Sequence, residues 1–321
     1  MPGTFHSASR PLLIVLAYSV FCAAIWLGLD ELDHRLTYVH AGSDLVYQLK
    51  TERLAKSAVF PPDVPYRVVV MGSSRALSTF RPDVFDAAFD HRVFSYNFGL
   101  PGDGRFLPLL KTLLASGNRP THVLLQEPWS TMDAPTQALP WYLDDHRLID
   151  QLLPFRKLPR DATLFAFQSL HGGFQHEWNR VRVELTGVVD HRGWYFIKAQ
   201  SQFPNDALPD DFSLPTDRPD QVQPRDLRPQ GAQFEELREL ARTYGFHVLV
   251  VPRAARLHES APMADPGPQV ISQSPNIASV GPNYWCLPNA DFSDPVHANV
   301  PGSEAYTRRL AALLAATGEF R

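Results

Sequence analysis

Cysteine is scarce in this chain of 321 residues, which contains only Cys22 and Cys286. Two cysteines exclude a disulfide-rich scaffold and a cysteine-based zinc module. The chain also lacks an excess of one charge, because 30 lysines and arginines nearly balance 34 acidic residues and leave a formal net charge of −4. The sequence therefore has no electrostatic footprint for nucleic acid, and we expect no nucleic-acid partner.

Metal-ligand spacing is missing as well, since the histidines between residues 130 and 230 (His171, His176 and His191) form no recognisable ligand pattern. We therefore expect no metal and no cofactor. Proline is abundant, at 29 residues, and 11% of the chain is aromatic. Aromatic residues at this level are typical of a globular body, so the prolines indicate long ordered loops.

An uncharged run, residues 11–29, lies near the N-terminus. At about 1.5 Å per helical residue, such a run is just long enough to cross a hydrocarbon core of about 30 Å. Arg10 precedes the run, and Asp30 and Glu31 follow it. Positive charge favours the cytoplasmic side. The pattern predicts a cytoplasmic tail at 1–10, a transmembrane signal anchor and an extracytoplasmic remainder.

The alternative for this segment is a cleaved signal peptide, which has a shorter apolar core and small residues at its cleavage site. Bulky side chains occupy the corresponding positions here, namely Trp26, Leu27 and Leu29. The sequence therefore favours an uncleaved single-pass anchor in the inner (plasma) membrane. Cys22 would then lie in lipid and Cys286 outside, without a disulfide.

The remainder divides into a juxtamembrane helix and linker at 30–65 and an α/β domain at 66–321. Apolar runs and helical periodicity alternate along that domain, which predicts right-handed βαβ units and a parallel sheet. A proline-punctuated insertion, 130–230, interrupts the pattern and is expected to pack over one end of the sheet. The predicted strands are 66–71, 93–98, 122–126 and 246–252, and the predicted helices are 75–89, 105–116, 233–244 and 303–316.

A first motif, Gly72-Ser73-Ser74-Arg75, follows the first predicted strand. A serine in a tight strand-to-helix turn presents a hydroxyl nucleophile and a backbone oxyanion donor together. The alternative is that both serines only cap the helix.

A second motif, Asn97-Phe98-Gly99-Leu100-Pro101-Gly102-Asp103, follows the second strand. Glycine lets a backbone N–H approach a ligand closely. An ordinary Gly-Pro-Gly loop is the alternative.

A third motif, Asp294-Pro295-Val296-His297, precedes the last helix. An aspartate three residues before a histidine can accept from one imidazole nitrogen and leave the other as a base. A surface turn with a solvated histidine is the alternative. We expect the three motifs to converge at the carboxyl ends of predicted strands, where open parallel sheets place their sites.

An early serine and a late Asp-x-x-His on a parallel sheet resemble the SGNH (GDSL-like) hydrolase superfamily. The resemblance implies a three-layer, flavodoxin-like fold. It makes Ser74 the nucleophile, with Ser73 in place of the usual aspartate, and Asp294 and His297 the rest of a triad. It also makes the N–H groups of Ser74 and Gly102 the oxyanion hole, with Gly99 as the fallback.

This sequence departs from the pattern of the family at one motif. The family's Gly-x-Asn-Asp would fall at residues 126–130, Gln126-Glu127-Pro128-Trp129-Ser130, where there is no asparagine. The side-chain oxyanion donor is thus missing or replaced, with Gln126 or Ser130 as candidates. Removing one such donor costs about 10²–10³ in turnover.

A Gly-Ser-Ser block behind one membrane anchor resembles the envelope acyltransferases of D-alanyl-lipoteichoic-acid and alginate O-acetylation type. That likeness implies an O-acyltransferase or esterase acting on an envelope glycan beside a multispanning membrane acyltransferase. The alternatives are a non-catalytic scaffold or glycan-binding subunit and a lipase. The candidate substrate-binding residues are Arg75, Asn97, Asp103, Gln126 and Trp129, of which Asn97 and Asp103 can instead brace the loop.

Overall fold

The computed structural model describes residues 9–37, 50, 58–99, 107–126, 155, 158–195, 203–222 and 232–321. The chain forms two compact units, one combining Met1–Leu45 with Asp145–Leu185 and the other Val46–Asp144 with Thr186–Arg321. The segment predicted as one insertion, 130–230, is therefore divided between the units.

The helices and strands of the described residues are numbered here in chain order. The helices are α1 (Ser9–Thr37), α2 (Ser74–Thr79), α3 (Pro82–Ala87), α4 (Leu107–Ala115), α5 (Leu158–Gly172), α6 (Phe174–Asp190), α7 (Ala232–Tyr244) and α8 (Val300–Thr317). The strands are β1 (Tyr66–Met71), β2 (Val93–Asn97), β3 (His122–Leu125), β4 (His247–Val250), β5 (Arg253–Arg256), β6 (Val270–Ser274), β7 (Ile277–Val280) and β8 (Tyr284–Leu287).

The first unit contains α1, whose apolar part is long enough to cross a membrane. Residues Pro11–Asp33 form a 23-residue stretch with a mean hydropathy of 2.4 and no burial of side chains inside the protein. The helix runs without a break from the predicted transmembrane segment, 11–29, into the start of the predicted juxtamembrane helix and ends at Thr37. No proline or glycine interrupts residues 30–37. Among the residues that the structure describes, one helix, near the N-terminus, could therefore span a membrane.

The second unit is built on a six-stranded sheet in the order β2-β1-β3-β4-β7-β6. The first five strands are parallel, and β6 pairs antiparallel with β7. Strands β5 and β8 form a second, two-stranded parallel sheet. The predicted α/β architecture with a mostly parallel sheet is confirmed, whereas β5 to β8 carry short or mixed patterns that the sequence analysis did not assign.

Two apolar layers cover the two faces of the large sheet. Val69 and Met71 pack with α4 and α7 on one face, and the alternate residues Val68 and Val70 pack with α3 and α8 on the other. Side chains alternate along a strand, so a strand buried on both faces must be apolar throughout. This is why Val68 to Met71, the buried part of β1, are all apolar.

The predicted helix 75–89 is wrong as a single element, because the chain forms α2 and α3 with a break between them. Pro82 is the first residue of α3, and Arg81 before it is extended, with φ −101° and ψ 108°. A residue before proline is pushed out of the helical region by a clash with the proline ring. The break keeps α2 to six residues directly after β1.

Candidate active site

The turn after β1 places Ser74 at the first position of α2. Ser73 caps this helix, because its hydroxyl accepts a hydrogen bond from the Arg75 N–H at 3.3 Å. Ser74 is half-buried at the carboxyl end of β1. The first N–H groups of a helix have no partner within it. The strand-to-helix turn that the sequence predicted is therefore present.

Asn97, at the end of β2, fixes α2 from the neighbouring strand. Its fully buried amide donates to the carbonyls of Ala76 at 2.9 Å and Phe80 at 2.8 Å, and its Oδ1 accepts from Gly99 N at 2.8 Å. A Cβ on Gly99 would lie 2.4 Å from the backbone nitrogen of Leu77, so this close approach requires glycine. These contacts make Asn97 a brace of the turn and leave its amide no polar group for a substrate.

Asp294 and His297 form a hydrogen-bonded pair in the turn before α8. The imidazole Nδ1 lies 2.7 Å from Asp294 Oδ2, while Oδ1 of the same carboxylate accepts from Val296 N at 2.7 Å and His297 N at 2.8 Å. The turn closes because Ser293 N donates to the His297 carbonyl at 2.9 Å. The carboxylate thus holds both the backbone and the ring of His297.

Hydrogen bonding and burial shift the pKa of the Asp294 carboxyl in opposite directions. Burial by itself raises its pKa, but hydrogen bonds from the His297 ring and from the two backbone N–H groups outweigh burial and hold the pKa below its usual value. Both side chains are 13% exposed. Near neutral pH, Asp294 is therefore an ionised acceptor that directs the Nδ1–H of His297 toward itself.

The turn that carries His297 is docked on α2, the helix that Ser74 begins. Ala298 N donates to Ser78 Oγ at 3.3 Å. In α8, Thr307 Oγ1 donates to the Thr79 carbonyl at 3.1 Å. The Asp294–His297 pair therefore lies beside the helix that starts with Ser74.

The second imidazole nitrogen of His297 is the unsatisfied atom of this arrangement. Nε2 is buried and has no hydrogen-bond partner within the part of the chain that the structure describes, Ser74 included. An unpaired buried nitrogen costs free energy, and a catalytic role is one of the explanations for such an atom. In enzymes without bound substrate the catalytic hydrogen bonds are often long and tighten only in the complex.

Arg75 has an internal partner. Its guanidinium forms a two-pronged ion pair with Glu259, at 3.0 and 2.8 Å, and also donates to the Ala254 carbonyl at 3.2 Å. Burial raises the pKa of Glu259, but the charges of Arg75 and Arg253 outweigh burial and leave the pKa below its usual value. A contact between Arg75 and an anionic substrate group, as the sequence suggested, would compete with this pair.

Gln126, the candidate replacement for the family asparagine, is buried after β3. Its Nε2 lies 2.9 Å from the Tyr306 hydroxyl and 3.3 Å from Thr79 Oγ1. These partners give the amide a structural role between α2 and α8. The remaining candidates fall outside the described residues, namely Gly102, Asp103, Trp129 and Ser130.

Two further residues next to the site, Arg256 and Trp194, make contacts that the sequence did not predict. Arg256 is buried, pairs with Asp217 at 2.6 Å and donates to the Pro295 carbonyl at 3.4 Å, so residues 203–222 are tied to the turn of His297. Trp194 donates its indole N–H to the Ser78 carbonyl at 2.9 Å. The partners of each contact are at least 39 residues apart, so no local pattern could indicate them.

A buried lysine touches the Asn97–Gly99 loop. Lys50 Nζ donates to the Gly99 carbonyl, and burial lowers the pKa of Lys50 well below its usual value. Both backbone polar groups of Gly99 are therefore hydrogen-bonded, the N–H to Asn97 and the carbonyl to Lys50.

Comparison with known proteins finds no matching family model, no matching curated protein and no matching solved structure. The assignment of a role to this site therefore rests on its residues and their geometry.

Proposed function

We propose that this protein is a membrane-anchored serine O-acyltransferase or acyl esterase that acts on an envelope glycan. The observation that carries the proposal is the imidazole of His297, which is oriented by the Asp294 carboxylate and has a buried, unpartnered Nε2 beside the helix that Ser74 begins. A serine, a histidine and an aspartate in these roles are the groups that acyl transfer needs.

In the proposed first step, Ser74 Oγ attacks the carbonyl carbon of an acyl ester while His297 Nε2 takes the hydroxyl proton. The carbonyl electron pair moves onto oxygen, and the backbone N–H groups of Ser74 and Gly102 stabilise that oxyanion. The Gly99 N–H, the alternative donor, is already bonded to Asn97 Oδ1. The tetrahedral intermediate collapses, the C–O bond to the leaving alcohol breaks, and His297 gives that alcohol its proton.

In the second step, a sugar hydroxyl or water attacks the acyl-Ser74 ester. His297 again accepts the proton of the attacking oxygen and returns it to Ser74 Oγ as the ester breaks. The acceptor leaves acylated, or the acyl group leaves as a carboxylic acid, and the enzyme is restored. Asp294 stays ionised throughout and stabilises the imidazolium.

The sheet supports the proposal independently of the motifs. The order β2-β1-β3-β4-β7 is the order of doubly wound, flavodoxin-like sheets, which bind ligands outside the carboxyl ends of their strands. Ser74 follows the carboxyl end of β1, and the Asn97–Gly99 segment follows that of the adjacent β2. We accordingly propose the SGNH-type fold.

The apolar helix α1 supports membrane attachment, since Pro11–Asp33 is long enough to cross the hydrocarbon core. With Arg10 before this stretch and acidic residues after it, we propose that the α/β unit lies outside the plasma membrane. A glycan substrate and a multispanning acyl donor protein fit that location.

The test is labelling of the full-length protein in detergent with a fluorescent fluorophosphonate, which reacts with activated serines. Labelling of the wild type and of Ser73→Ala, but not of Ser74→Ala or His297→Ala, is expected. Ser73→Ala is the matched control because it changes the adjacent hydroxyl. Equal labelling of wild type and Ser74→Ala would overturn the proposal.

A non-catalytic scaffold is the second candidate, favoured by the commitment of Gln126 to Tyr306 and Thr79 where the family has an oxyanion donor. Turnover of an acetyl-ester reporter separates the two candidates. Hydrolysis that Ser74→Ala abolishes supports the enzyme, whereas wild-type turnover no faster than that of Ser74→Ala supports the scaffold. Mass spectrometry of envelope glycans from a deletion strain then identifies the acyl group and its acceptor.

A further inference from the structure

Three metal-ligating side chains converge at the edge of the sheet opposite to Ser74. His122 and His247 are the first residues of β3 and β4 and are register partners, and Glu319 follows α8. One ligand atom from each of the three lies within 4.8 Å of the others. The amino ends of the strands carry this cluster, so it is separate from the candidate active site at the carboxyl ends.

The spacing of these atoms is close to that of metal ligands. His122 Nε2 lies 3.4 Å and His247 Nδ1 lies 3.8 Å from the same oxygen, Oε2 of Glu319. Tetrahedral zinc with bonds of about 2.0–2.1 Å separates its ligand atoms by about 3.3–3.4 Å. Strong charge-assisted hydrogen bonds are shorter, at about 2.7–2.9 Å. The His122–Glu319 distance matches this spacing, whereas the His247–Glu319 distance of 3.8 Å is longer, so metal binding requires the exposed His247 ring to move closer.

The His122 ring is held in one orientation by its neighbours. It is buried, its centroid lies 4.7 Å from that of Phe320 and 6.0 Å from that of Tyr66, and its Nδ1 lies 3.0 Å from Thr121 Oγ1. The hydroxyl at Nδ1 leaves Nε2 directed at Glu319. Metal-ligating histidines show the same arrangement, with one ring nitrogen on the metal and the other on a polar partner.

The donor set selects the class of cation. Two imidazoles and one carboxylate suit zinc and similar divalent transition metals, whereas magnesium and calcium take oxygen ligands. His247 is 54% exposed and Glu319 is 21% exposed, so the outer side of the cluster is open to water as a fourth ligand.

We propose that His122, His247 and Glu319 bind one zinc-class divalent cation, which joins β3 and β4 to the C-terminal segment after α8. The site lies away from Ser74 and His297, so its role is to stabilise the fold, and it does not depend on the proposed acyl chemistry. The proposal differs from the expectation of no metal, which rested on spacing along the sequence only.

The test is titration of the full-length protein, stripped with a chelator and desalted, with Co²⁺ as a spectroscopic probe and Zn²⁺ as its competitor. We expect one equivalent of Co²⁺ to give the visible absorption of a four-coordinate site, which Zn²⁺ displaces and Mg²⁺ does not. His247→Ala and Glu319→Gln are expected to weaken binding at least about tenfold. His176→Ala, which removes an exposed histidine elsewhere, is expected to bind like the wild type.

Thermal unfolding provides the second readout and shows that the variants fold. Zn²⁺ should raise the melting temperature of the wild type and of His176→Ala but not of His247→Ala or Glu319→Gln, because a ligand stabilises only a fold that binds it. His247 is chosen because its ring is exposed, so its removal leaves the core intact. Absence of wild-type binding, or equal binding by His247→Ala, would mean an ion pair only and would overturn the proposal.

Discussion

The amide of Asn97 is predicted to be the main polar brace between the second strand and the helix that begins at Ser74. It donates to the carbonyls of Ala76 and Phe80 and accepts from Gly99 N, with all three distances between 2.8 and 2.9 Å. Asparagine is suited to this position because one side chain supplies both donors and an acceptor. We therefore consider the substitutions Asn97→Ala and Asn97→Asp.

The cost of Asn97→Ala follows from the groups that lose a bond. The Ala76 carbonyl keeps its bond from Phe80 N at 3.2 Å, but the Phe80 carbonyl and Gly99 N lose the bond that Asn97 gives them. A buried polar group without its partner costs about 1–3 kcal/mol. Two such groups predict a loss of about 2–6 kcal/mol in the free energy of unfolding.

Asn97→Asp tests the donor role of the side chain by itself, because it removes the amide N–H groups and keeps an acceptor oxygen. The introduced carboxylate can still accept from Gly99 N, but at neutral pH it faces the carbonyl oxygens of Ala76 and Phe80 without a proton. We expect a loss at least as large as that of Asn97→Ala. Burial against two carbonyl oxygens raises the pKa of the introduced carboxyl in the folded state, and its protonated form restores one donor. Stability should therefore return as the pH falls.

The assay is urea unfolding of the full-length protein, followed by far-UV circular dichroism at pH 7 and at pH 4.5. The reasoning would be refuted by a loss below about 1 kcal/mol for Asn97→Ala, or by a variant Asn97→Asp as stable as the wild type at pH 7. Either result would mean that water or a shift of the turn satisfies these groups.

Three further predictions follow from the same region. Gly99→Ala should cost about 1–3 kcal/mol or more in urea unfolding, because its Cβ would lie 2.4 Å from a backbone nitrogen of α2. The pKa of Glu259 is lowered from 4.5 in the folded state, so its ionised form stabilises the fold above about pH 4.5 and this contribution is lost as the pH falls through the folded value. Unfolding measured from pH 7 to pH 3 should therefore show that Glu259→Gln is less stable than the wild type at pH 7 and differs little from it at pH 3. Asp294→Asn should reduce fluorophosphonate labelling and ester turnover by about 10²–10⁴-fold, because His297 loses its orienting carboxylate.

Each of these predictions has a result that contradicts it, and Gly99→Ala also has a matched control. Gly187→Ala, at a helical position with open space around the new Cβ, should leave stability unchanged or raise it slightly, and an equal loss in both glycine variants would argue against the close contact. A pH-independent difference between Glu259→Gln and the wild type would exclude its ionisation as the cause. Unchanged labelling of Asp294→Asn would remove the carboxylate from the mechanism.

The sequence by itself determined the features that depend on neighbouring residues. The apolar run near the N-terminus, the buried strands β1, β3 and β4 and the Asp294–His297 pair were all predicted, because each depends on periodicity or on a spacing of three residues. Pro82 also carries a local signal, because a proline disfavours helical backbone at the residue before it, and this is where the predicted helix 75–89 breaks.

Tertiary structure decided the contacts between distant parts of the chain. Arg75 meets Glu259 across 184 residues, and the imidazoles of His122 and His247 meet Glu319 at the amino ends of two strands. In the sequence these residues look like ordinary charged or polar surface residues. Only the register of the sheet and the packing of α8 place them within a few ångströms of one another. The nearness of the His297 turn to the helix of Ser74 depends on the same packing, which is why the motifs could predict the site but only the fold could bring its parts together.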